Sequence, residues 1–81
     1  MAKSLFSREY RVFLQHLRAA RIRAGLTQKQ LAMRLSQTQS FVSKCERGER
    51  RIDIAELRHF CRALRISTSD FINKLMKAVG E

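Results

Sequence analysis

Apolar residues recur along this chain at intervals of three and four, and the spacing predicts five helices and no strand. The first stripe is Tyr10, Phe13, Leu14, Leu17, Ala20 and Ala24, one face of a helix that Ser7 caps. Glu9 lies in its first turn, and Gly25 stops it. Arg21 falls on the same apolar face, which the binary pattern leaves unexplained. Thr27 caps a second helix over Gln28 to about Leu35, with Leu31, Ala32 and Leu35 facing inward. Thr38 caps a third from Gln39 to about Arg47, with Val42 and Cys45 inward and Gly48 at its end. Asp53 and Glu56 have capping-box spacing for a fourth, whose inward set is Ile54, Leu57, Phe60, Cys61 and Leu64. Ser67 and Asp70 open a fifth, striped by Phe71, Ile72, Leu75, Met76 and Val79. That stripe is wide for a terminal helix, and it serves either packing onto the first helix or a dimer surface.

The whole chain, residues 1–81, reads as one all-α unit, since its length allows a single domain. Residues 1–6 form an expected loose arm from which Phe6 folds back onto the core, and residues 68–79 the terminal helix. Proline is absent and glycine occurs only at Gly25, Gly48 and Gly80, so breakers are few.

The second and third helices are separated by only Ser36, Gln37 and Thr38, a link short enough for two helices crossing steeply in a helix-turn-helix. Ala32 allows the close approach. The outward side of the third helix then carries Gln39, Ser40, Ser43, Lys44 and Arg47. Glutamine matches adenine, lysine donates to guanine and serine serves either, so this row suits base edges in the major groove. Gln39, Ser40 and Lys44 are the expected base readers, with Ser43 beside them. A solvated helix face is the plainer reading of the same residues.

Charge changes the picture next. Seventeen Lys and Arg against seven Asp and Glu give a formal net charge of +10. Such an excess points to a polyanion, nucleic acid first, then an anionic membrane or an acidic protein. No apolar run suggests a signal peptide or a membrane span, so a cytoplasmic, nucleoid-associated protein is expected. Cys45 and Cys61 lack metal-ligand spacing and read as small buried hydrophobes. His16 and His59 are isolated, and there is no suggestive carboxylate pair or phosphate loop. No enzyme activity, cofactor, metal or small-molecule substrate is expected.

From Leu17 to Leu64 the chain resembles the Cro/C1 repressor (Xre) family of helix-turn-helix proteins. The resemblance rests on Leu17, Arg21, Gly25-Leu26-Thr27-Gln28, Leu31-Ala32, Leu35, Gln39-Ser40, Val42-Ser43-Lys44, Glu46-Arg47-Gly48, Leu57 and Ala63-Leu64. It implies a five-helix, lambda-repressor-like DNA-binding fold. It also implies that Gln28 bonds a DNA phosphate and braces Gln39, and that Arg21 and Glu46 form a buried ion pair. Arg47, Arg50 and Arg51 would hold the phosphate backbone, joined by Thr38 at the helix cap. Lys3, Arg8 and Arg11 are candidates for further basic contacts. The chain departs from the family at Ser36, where Gly is usual, at Gln37, at Cys45 in place of Ile or Leu, and at Ile52 in place of Pro. A left-handed Ser36 would cost roughly 1 kcal/mol.

The function implied is a sequence-specific, double-stranded-DNA-binding transcription regulator, a repressor or autoregulator that binds a palindromic operator as a homodimer. The alternative is a protein-binding module, an antitoxin or adaptor component, that binds DNA secondarily. An RNA-binding or nonspecific nucleic-acid protein would use the charge and leave the polar row idle.

Overall fold

The computed structural model describes residues 7–80, and the expected arm with Lys3 and Phe6 lies outside them. Five helices follow in order: α1 Arg8–Arg23, α2 Gln28–Arg34, α3 Gln39–Arg47, α4 Ile54–Leu64 and α5 Thr68–Val79. Among the described residues there is no strand, and no helix is long and apolar enough to cross a membrane.

Every helix starts in the same way. A side-chain oxygen on the residue before it accepts the backbone N–H three positions on, which satisfies a donor the helix leaves unpaired. Ser7 takes the N–H of Tyr10, Thr27 that of Gln30, Thr38 that of Phe41, and Ser67 that of Asp70, each at 3.1 Å. Asp53 takes that of Glu56 at 2.7 Å, and Glu56 returns the bond to the Asp53 N–H, completing the box its spacing predicts. A second reciprocal box, unforeseen in the sequence, closes where Gln30 Oε1 accepts the Thr27 N–H at 2.9 Å.

The four exits between helices also share one geometry. A backbone N–H reaches back five residues: Leu26 to Arg21, Gln37 to Ala32, Glu49 to Lys44 and Ile66 to Cys61, at 2.9–3.2 Å. The residue before each donor is left-handed: Gly25 (φ 77°), Ser36 (φ 56°), Gly48 (φ 82°) and Arg65 (φ 60°). Ser36 makes the turn of the helix-turn-helix in this conformation, despite its Cβ.

The core gathers one face of each helix. Leu17, Leu31, Val42, Cys45, Phe60 and Cys61 are essentially sealed from solvent at its centre. Burial pushes both thiols above their usual pKa, so neither is a ready thiolate. Phe71 of α5 meets Phe13 of α1 edge to face at 6.0 Å, seating the last helix on the first. The remaining α5 stripe, Ile72, Leu75, Met76 and Val79, is half-buried.

Several positions differ from the sequence pattern. Ala24 and Ile54 are exposed, Ile54 at 68%, because each sits at a helix end where the stripe has turned away from the core. Leu35 caps α2 and is only half-buried. Tyr10 lies at the core's edge: its hydroxyl accepts the Ile52 N–H at 3.0 Å, so its polar tip must stay near the α3–α4 loop. Phe41, absent from the expected inward set, packs on the core and stacks on Phe60 at 6.3 Å.

Candidate nucleic-acid interface

The third helix is held from behind through one carboxylate, Glu46, which side chains of α1 and α2 both grip. Arg21 Nε and Nη2 donate to Glu46 Oε2 and Oε1 at 2.6 and 3.1 Å. The third guanidinium nitrogen donates to the Leu26 carbonyl at 2.8 Å, which fixes the α1–α2 loop. Gln28 Nε2 donates to Glu46 Oε1 at 3.0 Å, which ties in the start of α2. The two ionic side chains are 10% and 4% exposed, so this is a desolvated bidentate pair. It gives Arg21 on an apolar stripe its physical reason. Among the described residues no buried side-chain nitrogen or oxygen lacks a hydrogen-bond partner.

Outward from that anchor, α3 presents Gln39, Ser40, Lys44 and Arg47 to solvent. Ser43 is half-buried, and its hydroxyl accepts a bond from Arg47 Nη1. The Thr38 hydroxyl is engaged on the Phe41 N–H, though the residue itself is exposed. The amide of Gln28 is directed to Glu46, at the C-terminal end of α3, whereas Gln39 lies at the other end.

The basic residues at the end of α3 have acidic neighbours that the sequence reading missed. Arg47 grips both oxygens of Glu49 at 2.8 and 3.2 Å. Arg50 grips both oxygens of Glu56 at 3.0 and 2.8 Å, donates to the Arg51 carbonyl at 3.0 Å, and lies over the Phe41 ring at 4.8 Å. The Arg51 guanidinium covers the Tyr10 ring at 4.4 Å. The bonds from Arg47 hold the Glu49 carboxyl below its usual pKa. For Glu56 the bond from Arg50 does so first, then the Asp53 backbone. Glu56 was legible only as half of a capping box, and nothing in the spacing of Arg47 and Glu49 reports a pair formed across a turn. Arg8 and Arg11 are exposed on α1. His59 is exposed and His16 half-buried, and no group of described residues could hold a metal ion.

Two helices joined through a left-handed turn, the second anchored behind and polar in front, define a helix-turn-helix. A family model described as a helix-turn-helix domain matches residues 12–71. An XRE-family like protein from Pseudomonas syringae pv. tomato str. DC3000 is 41% identical, with TM-score 0.86 over 99% of this chain and 96% of that one. A point mutant of the restriction-modification controller protein C.Esp1396I is 26% identical, with TM-score 0.81 over 90% and 92% of the two chains. The clp gene regulator ClgR from C. glutamicum shares the fold at 24% identity, with TM-score 0.77 over 89% and 94%. Comparison with curated proteins gave no match. The chain belongs to the Xre family of helix-turn-helix proteins. It thereby joins a class of DNA-binding transcription regulators.

Proposed function

We propose that this protein is a sequence-specific regulator that binds a palindromic operator as a homodimer and represses transcription, its own included. The observation that carries the reading is the exposed row Gln39, Ser40 and Lys44 on a helix immobilised from behind by the Arg21–Glu46–Gln28 cluster. Rigid support matters because base readout depends on side chains reaching fixed edges, each good bidentate contact contributing ~1–3 kcal/mol of discrimination. Ser43 adds a reader coupled to Arg47. Thr38, Gln28, Arg47, Arg50 and Arg51 line the approach to the backbone, where contacts position the helix without reading sequence.

One recognition helix spans too few bases to find a genomic site alone, and two half-sites about one helical turn apart solve this. The half-buried apolar residues of α5 supply the dimer surface in this reading. The controller protein and gene regulator among the similar structures lend support to a regulatory role. A second reading, a protein-binding module of the antitoxin or adaptor kind, draws on that same α5 face.

Selection from a random duplex library with the purified protein tests both. A palindromic consensus with half-sites one turn apart is expected, together with a dimer in sedimentation on that duplex. Retention of DNA with no consensus would overturn the reading and favour the α5 protein-docking alternative.

A further inference from the structure

We propose that Glu49 and Glu56 set how well this protein discriminates its site from random DNA, by holding Arg47 and Arg50 in ion pairs that only a well-docked backbone opens. The inference rests on the DNA-reading function proposed above.

Phosphate contacts supply the sequence-independent part of DNA affinity, and each neutralised phosphate adds about 0.9 to the salt slope. Arg47 and Arg50 sit where such contacts are expected, at the end of α3 and just beyond it. Neither offers an unengaged guanidinium. All three nitrogens of Arg47 have partners, two on the Glu49 carboxylate and one on the Ser43 hydroxyl. Arg50 is bidentate on Glu56, bonded to the Arg51 carbonyl, and laid on the Phe41 face.

A phosphate approaching either cation therefore meets a carboxylate already in place. Loose electrostatic association with random DNA gives nothing to offset opening the pair, so the cation stays closed and the carboxylate repels the backbone. At the cognate site the base contacts of Gln39, Ser40 and Lys44 fix the duplex close by, and that fixed geometry lets phosphate replace carboxylate. The cost of opening the pairs is thus borne by the specific complex, and the two glutamates lower specific binding more than random binding. Glu49 reaches further, because its partner also holds the Ser43 hydroxyl in the reading row.

The charge can be removed with little change of shape. Glu49 has a side chain 53% exposed, so Gln is accommodated. Glu56 closes a capping box, and this chain already closes another with a glutamine, Gln30. Binding of Glu49→Gln, Glu56→Gln and the double variant is measured by fluorescence anisotropy on a random-sequence duplex and on the selected duplex, across a salt series. Glu9→Gln, which removes the same charge at the start of α1, is the control.

Affinity for the selected duplex is expected to rise about two- to fivefold for each substitution, the scale of one surface ion pair, and random-DNA affinity by less. On random DNA the slope steepens by about 0.9 for each arginine released. The specific-to-random ratio rises, and Glu9→Gln changes neither the slope nor the ratio. An equal rise in Glu9→Gln, an unchanged affinity for the selected duplex, or equal rises on both duplexes overturns the proposal. A wild-type protein with no sequence preference fails the DNA-reading function itself. A wild type with a preference that the variants leave unchanged fails this inference alone.

Discussion

Two residues carry conformations that their side chains resist. Ser36 and Arg65 are left-handed at exits otherwise served by Gly25 and Gly48. The Cβ in that region costs roughly 1–2 kcal/mol, and part of the gain from glycine is lost to a freer unfolded chain. Ser36→Gly and Arg65→Gly should each stabilise the fold by about 0.5–1 kcal/mol, raising the thermal midpoint by a few degrees. Calorimetry checks this, and a fall in the midpoint at either position would show that the turn draws stability from the side chain. The left-handed turn at Ser36 was legible as a departure from a family glycine, whereas Arg65 gave no such sign because nothing local distinguishes it from a helical arginine. Pairing was hidden for the same reason. The Arg47–Glu49 and Arg50–Glu56 contacts form only after the α3 exit has turned, and no helical spacing encodes them.

At the level of elements, caps and stripes made the five helices readable to within a residue or two, because capping oxygens and apolar periodicity act locally. The errors fell at ends: Ala24 and Ile54 point away, whereas Leu35, the α2 cap, still packs against the core. Phe41 escaped notice because its burial depends on Phe60 of α4 lying alongside, a tertiary fact. How α3 is fastened is equally tertiary. Arg21 stood out only as a misfit on a stripe, and its partner lies 25 residues away. Glu46→Ala leaves a buried guanidinium without its counter-charge and should destabilise the protein by ~3–5 kcal/mol. Urea unfolding measures that cost. A loss below about 1 kcal/mol, the range of an exposed pair, would mean that water takes the carboxylate's place.

For the whole molecule, the net charge of +10 draws DNA from a distance but says little about which cations touch it. The two paired carboxyls bear on pH as well as on binding. Their pKa values are depressed from the usual 4.5 in the folded state. Their contribution to stability is therefore fully present above 4.5 and is lost as pH falls through the lowered values. Unfolding midpoints of wild type and the Glu49→Gln, Glu56→Gln double variant should thus differ by a constant amount at neutral pH and converge under acid. A gap that widens on acidification would contradict the pairing.

The cluster behind α3 has one more consequence. Val42, Cys45 and Glu46 bind this helix to the rest of the protein, while the side chains of Gln39, Ser40 and Lys44 are exposed. Within nine residues, the positions that preserve the architecture and those proposed to carry the message do not overlap. New binding preferences can therefore arise by exchange at three exposed sites, with no penalty in folding to slow their divergence. A small protein of this design works as interchangeable type set in a fixed frame.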